Sequence, residues 1–254
     1  MKDPVVILGM GEMGGVFARG FLRVGHPVYP VIRTMDITKA AVTIPEPALV
    51  LIAVAEQDLH SVLEKIPAPW AGRIVLLQNE LLPRDWEKYQ LSPTVISVWF
   101  EKKKGMDAKV VIPSPVFGPR SGLIASALEA IDIPTRILGN ADELLFELVV
   151  KNLYILTTNI CGLKVGGTVS ELWKNHETFA RSVIREVLAL QESLTGKTLD
   201  DEALIQAMLI AFEGDPEHKC MGRSAPARLE RALMLASEAG IETPELAAIQ
   251  SAVR

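Results

Sequence analysis

Four aliphatic residues, Val5 to Leu8, run directly into Gly9-Met10-Gly11-Glu12-Met13-Gly14, and a segment carrying Val16, Phe17, Phe21 and Leu22 on one side follows as far as Gly25. Strand, glycine turn and helix in that order restrict this end of the chain to a βα unit whose loop meets a ligand. Gly9 permits the tight turn, Gly11 leaves the backbone bare where a pyrophosphate would approach, and Gly14 lets the helix pack closely on the sheet. The free amides at the helix N-terminus, those of Glu12 and Met13 among them, then bind the phosphates. The alternative is a purely structural turn, and the position between a good strand and a good helix argues against it.

Further runs extend the pattern. Val28 to Ile32, Leu49 to Val54, Ile74 to Leu77, Val95 to Val98, Lys109 to Ile112 and Thr135 to Leu138 read as strands separated by amphipathic segments. Runs that are apolar at every position suit strands buried on both faces of a parallel sheet. After Gly139-Asn140 the β-branched runs cease, and helices are predicted at about 141–163, 168–195, 199–212, 224–239 and 243–252. The expected fold class is an α/β Rossmann domain over 1–139, with a mostly parallel doubly wound sheet, followed by an all-α domain over 140–254. Pro113 to Pro119 reads as an ordered loop, and Lys102-Lys103-Lys104-Gly105 as a solvated loop tip.

Composition narrows the partners. With 26 basic and 31 acidic residues among 254, the net charge of −5 creates no field that gathers nucleic acid. The richest apolar window, Leu144 to Leu163, is interrupted by Glu147, Lys151, Asn152 and Asn159, so no membrane span is expected. Met-Lys-Asp-Pro leads straight into the first strand without the pattern of a signal peptide, and two cysteines are too few for a disulfide framework. The expectation is a cytoplasmic protein acting on a small molecule. His218 and Cys220, with His176 elsewhere, match no compact zinc spacing, so no metal is expected.

Two sets of residues carry chemistry. The second strand ends Val31-Ile32-Arg33-Thr34. The planar fork of Arg33 suits the 2′-phosphate of NADP, and Thr34 adds a hydroxyl donor, whereas Asp36 in the acidic role would favour NAD. On the first helix of the second half, Lys151, Tyr154, Ile155, Thr158 and Asn159 fall at spacings of three and four and share one stripe. Lys151 and Asn159 lie about 12 Å apart along the axis, within reach of one small ligand. A snorkelling lysine and an asparagine tying two helices together are the plain alternative.

The succession Gly9-x-Gly11-x-x-Gly14, Arg33, Leu77-Gln78-Asn79, Lys151 with Asn159, then Ser170-Glu171-Leu172 resembles the ketopantoate reductase family over most of the chain. The resemblance implies an N-terminal Rossmann domain and a helical C-terminal domain, with NADPH reducing a 2-keto acid in the cleft between them. It implies Lys151 as proton donor, Asn79 beside nicotinamide and substrate, and Asn159 as a substrate ligand. The chain departs from the family pattern at Ile155, where members carry a second asparagine, at Ala55-Glu56, where they carry a lysine, and at Glu80, where they carry glycine. The family glutamate near the C-terminus falls on Ser224 or Pro226, depending on the anchor used. Ile155 and Ser224 are therefore expected at the substrate, which becomes another small carbonyl compound, more apolar beside Ile155. A β-hydroxyacid dehydrogenase or imine reductase, and a non-catalytic NADP-binding sensor, remain alternatives, and a homodimer is possible.

Overall fold

A computed structural model describes residues 2–253. The chain forms two compact units with their boundary between Glu147 and Leu148.

The first unit contains β1 (Val5–Leu8), α1 (Glu12–Arg23), β2 (Val28–Val31), α2 (Ile37–Thr43) and β3 (Leu49–Ile52). A short 3₁₀ turn at Glu56–Asp58 leads into α3 (Leu59–Leu63), and a second at Ala68–Arg73 leads into β4 (Ile74–Leu76). Then come α4 (Arg84–Glu87), β5 (Thr94–Ile96), β6 (Phe100–Glu101), β7 (Lys109–Val110), β8 (Ser114–Phe117), α5 (Ser121–Glu129) and β9 (Thr135–Ile137). Seven strands make one sheet in the order β2-β1-β3-β4-β5-β8-β9. The first five in that order are parallel, and β8 runs antiparallel to β5 and parallel to β9. Every residue of β1 and β3 is buried, as strands covered on both faces require. Val5 and Ile7 share a core cluster with Phe17 and Phe21 of α1 and Ile124 and Leu128 of α5. Burying each phenylalanine contributes roughly 1.5–3 kcal/mol. Gly20 lets α1 and α5 approach, since a Cβ there would stand 2.4 Å from the Ala127 carbonyl oxygen. Leu22, assigned by the sequence to the apolar side of α1, is instead 59% exposed.

Two strand assignments differ. The segment read as a loop, Pro113 to Pro119, contains β8, concealed because Pro113 and Pro119 flank it and Pro115 lies inside it. Pro115 is accommodated through its carbonyl, which accepts the Ser97 N–H at 2.9 Å. Lys109 to Ile112 does not enter the main sheet; its first two residues pair antiparallel with β6 in a separate ribbon. Its alternating exposed and half-buried residues fit a two-stranded flap better than a central strand.

The remaining helices are α6 (Ala141–Val165), α7 (Val169–Thr195), α8 (Asp201–Gly214), α9 (Ala225–Ala239) and α10 (Pro244–Val253). The change of pattern after residue 139 marks where β9 gives way to α6, while the boundary between the units falls inside that helix, about two turns from its start. Those first turns are tied to the first unit: Glu147 pairs with Arg136 of β9, and the Glu143 carboxylate accepts the Gly139 N–H at 2.9 Å. α6 is long and apolar enough to cross a membrane by length and composition alone, but most of its apolar window is buried in this protein. α7 begins with a reciprocal capping box between Thr168 and Glu171, ends at Gly196 in the left-handed region (φ 63°), and kinks at His176. It packs on α8, α9 and α10. Gly162 gives α6 a backbone-to-backbone contact, because a Cβ there would stand 2.5 Å from the Cys220 carbonyl oxygen.

Candidate active site

At the carboxyl end of β1 the sheet order reverses: the chain steps outward to β2 and then across to β3. Ligands of open α/β sheets bind at such a switch point. Gly9 turns the backbone there at φ +96°, and a Cβ on it would stand 2.6 Å from the Ala53 carbonyl oxygen beyond β3. Gly14 lies in the first turn of α1, where a Cβ would meet the Gly9 carbonyl oxygen at 2.1 Å. Around Gly11 a Cβ would find nothing within 4 Å. Gly11 is also the N-cap of α1 and supplies no side-chain cap, so the first-turn amides of Glu12 and Met13 have neither a helical nor a side-chain acceptor. A cavity of about 250 Å³ opens beside the loop, lined by Met10, Gly11, Glu12, Val16, Arg19 and Lys102. The Lys102 side chain is only 21% exposed, with its ammonium 3.6 Å from the Glu12 carboxylate. Sequence alone leaves Lys102 on a solvated tip, since its approach to α1 depends on the β6–β7 ribbon.

Beyond β2, Arg33 is 85% exposed at its side chain and donates to Asp58 Oδ2 at 2.7 Å. Thr34 is exposed beside it. Asp36, the alternative acidic residue, caps α2 by accepting the N–H groups of Thr38 (2.8 Å) and Lys39 (3.4 Å). Sequence does not single out Asp58, because its proximity to Arg33 arises only from the β2–β3 crossover.

The end of β4 is fixed by Gln78. Its Nε2 donates to the carbonyls of Ile52 (2.7 Å) and Val54 (3.3 Å), and its Oε1 accepts the Leu77 N–H at 3.2 Å. That side chain is spent on joining β4 to β3. Asn79 follows it, half-buried, with one donor and one acceptor group on its carboxamide. Glu80 then takes φ +59°, the left-handed conformation that glycine adopts at no steric cost.

In the helical unit Lys151 is half-buried, and its ammonium lies 5.8 Å from the centroid of the Tyr154 ring, within cation–π range. The Tyr154 ring in turn meets Phe212 edge-on at 5.4 Å and stands 6.0 Å from the His218 ring. His218 Nδ1 is 3.8 Å from a carboxylate oxygen of buried Asp215. Ile155, Thr158 and Asn159 continue the stripe and are buried. The Thr158 hydroxyl donates to the Tyr154 carbonyl at 2.8 Å and accepts from Asn159 Nδ2 at 3.4 Å. Asn159 Oδ1 accepts from Arg228 Nη1 at 3.1 Å. Ser224 is exposed at the start of α9 and has no capping bond, and Pro226 is exposed as well. The structure thus brings Arg228, not Ser224, to Asn159. Arg228 lies one helical turn beyond Ser224, a spacing of four that could have drawn attention to it.

Both cysteines are buried and unbridged. Desolvation pushes the Cys161 thiol well above its ordinary range and the Cys220 thiol up to about 11, with smaller contributions from neighbouring negative charge. Neither is a nucleophile at neutral pH. Among the described residues no group of three or more His, Cys, Asp or Glu side chains is placed to hold a metal ion.

No family model and no curated protein matches this sequence. Solved structures do. A PanE/ApbA family ketopantoate reductase from Ralstonia eutropha JMP134 aligns over 99% of this chain and 97% of its own, with 17% identity and a TM-score of 0.69. A D-mandelate dehydrogenase, solved with NADH and anilino(oxo)acetate, aligns over 98% and 97% with 12% identity and a TM-score of 0.68. A dimeric ketopantoate reductase from Staphylococcus aureus aligns over 99% of both chains with 16% identity and a TM-score of 0.62. The chain has the fold of the ketopantoate reductases.

Proposed function

We propose that this protein is an NADPH-dependent reductase of a 2-keto acid or a related small carbonyl compound. The observation that carries the reading is the placement of Lys151, a half-buried cation held above Tyr154 on the same stripe as Asn159. It occurs in a chain whose other unit carries a glycine loop open at Gly11. The residues present fit a dinucleotide: the space at Gly11 and the amides of Glu12 and Met13 suit a pyrophosphate, with Lys102 and Arg19 adding positive charge. When bound, the nicotinamide supplies the hydride.

The protein's own groups do the rest. Lys151 stabilises the negative charge that grows on the carbonyl oxygen and delivers the proton, while Asn79 orients the substrate without adding charge. Arg33 supports NADPH over NADH because a guanidinium binds a 2′-phosphate bidentately, and because Asp36 is already committed to capping α2. The phosphate would displace Asp58 from Arg33 or share it. A small-molecule substrate and a homodimeric enzyme complete the reading, in line with the dimeric neighbour.

Replacing Lys151 by Met tests the mechanism. Turnover should fall by roughly 10² to 10⁴-fold, the range for a lost general acid. NADPH affinity should stay within a few-fold, and an unchanged rate would remove Lys151 from the chemistry. Arg33→Gln should weaken NADPH by roughly 10- to 100-fold and leave NADH unchanged. Equal losses for both nucleotides would reverse the cofactor assignment.

A further inference from the structure

We infer that Arg228 and the Asn159 carboxamide form a subsite for the carboxylate of the substrate, so that this protein selects anionic carbonyl compounds over neutral ones. The inference rests on the reductase reading and adds to it a residue that the stripe on α6 does not itself contain.

The hydrogen bonds around Asn159 have one direction. Arg228 Nη1 donates to Asn159 Oδ1 (3.1 Å), Asn159 Nδ2 donates to Thr158 Oγ1 (3.4 Å), and the Thr158 hydroxyl donates to the Tyr154 carbonyl (2.8 Å). The bond from Arg228 takes one lone pair of the Asn159 amide oxygen, and the carboxamide still has an N–H that this relay does not use. A guanidinium has five N–H donors and no acceptor, and a carboxamide has two N–H donors of which this relay uses one. The pair is therefore a donor surface, and the chemistry that fits a donor surface with a positive charge is a carboxylate.

Charge along the stripe agrees. Lys151 stands at one end and Arg228 reaches the other, while the side chains between them, Tyr154, Ile155, Thr158 and Asn159, are all uncharged. Asp215 is buried 3.8 Å from His218, whose ring stands 6.0 Å from that of Tyr154. The backbone of Gly222 closes the side of the carboxamide, where a Cβ would stand 3.4 Å from Asn159 Oδ1. A substrate lying along the stripe would put its carbonyl at Lys151, its apolar portion on Ile155 and its carboxylate on Asn159 and Arg228.

The test compares wild type, Arg228→Met and Arg228→Lys in two ways. NADPH oxidation is followed with pyruvate and its branched-chain homologues, and with acetone and other ketones that lack the carboxylate. Binding of oxamate, an unreactive isostere of pyruvate, is followed by calorimetry. In the Met variant KM for the keto acids should rise roughly 10- to 100-fold with kcat within a few-fold, the ketones should be unaffected, and oxamate should weaken in parallel. Arg228→Lys should restore some of both.

A Met variant that keeps the wild-type preference for keto acid over ketone, and its oxamate affinity, overturns the inference; a lowered melting temperature alone would then mark Arg228 as a tie between α6 and α9. If wild type reduces nothing but binds oxamate in an Arg228-dependent way, the subsite stands and the reductase reading falls. If wild type does not bind oxamate, the subsite falls whatever the turnover.

Discussion

In the first unit the glycine turn that would meet a nucleotide is shaped by backbone: Gly9, Gly11 and Gly14 act through φ +96° at the first, open space at the second and a 2.1 Å limit at the third. In the helical unit the charged candidates act through long side chains, from the Lys151 ammonium over Tyr154 to the Arg228 guanidinium on Asn159. Gly9 and Gly14 cannot be replaced without disturbing the turn, helix and sheet that they join. A site made of side chains can be rewritten one substitution at a time on the same helices. The chain, with only 12–17% identity to these structural neighbours, keeps their fold while carrying Ile155 and Arg228 in its helical unit.

The largest expected effect against this contrast is that of Gly14→Ala. Its Cβ would collide with a backbone carbonyl, so destabilisation of about 3 kcal/mol is expected in urea denaturation. Gly11→Ala separates fold from ligand: with nothing within 4 Å of the added methyl, stability should change by less than about 0.5 kcal/mol. NADPH affinity should nevertheless fall by roughly tenfold or more, since the methyl takes the space of the pyrophosphate. If Gly11→Ala binds NADPH normally, the backbone site is not where the nucleotide sits.

The helical unit has its own pH signature. The Cys220 thiol is raised from 9.0 to about 11, so it favours the protonated folded state. Its contribution is fully present below pH 9, where the unfolded thiol also stays protonated, and is lost as pH rises toward 11. At pH 10 the loss is about 1 kcal/mol. The urea midpoint should drop between about pH 8 and pH 10, and drop less in Cys220→Ala. The smallest effect belongs to the loop after β4: Glu80→Gly relieves a left-handed φ of 59° and should stabilise the protein by about 0.5 kcal/mol, against the flexibility that glycine adds to the unfolded chain. A loss of stability there would show that the Glu80 side chain matters more than its backbone.

Much of this was legible in the sequence. The glycine loop, the main strands and the five long helices declare themselves through glycine spacing and periodicity, which are local properties. β8 stayed hidden because Pro115 masks a strand that the sheet accepts through its carbonyl. Lys102 and Asp58 were missed because each becomes informative only through a partner 25 or more residues away, Glu12 and Arg33, and Arg228, though one turn beyond Ser224, shows its role only through Asn159. Periodicity carries no such distance. The stripe on α6 was visible, but what its far end binds was not.

Both thiols are buried, and Gly162 of α6 packs directly on the Cys220 backbone. Alkylating reagents attack thiolates, so native molecules should stay unlabelled and only those whose α6 has moved away from residues 220–222 should take up reagent. The rate of label uptake then becomes a clock for the opening of the helical unit.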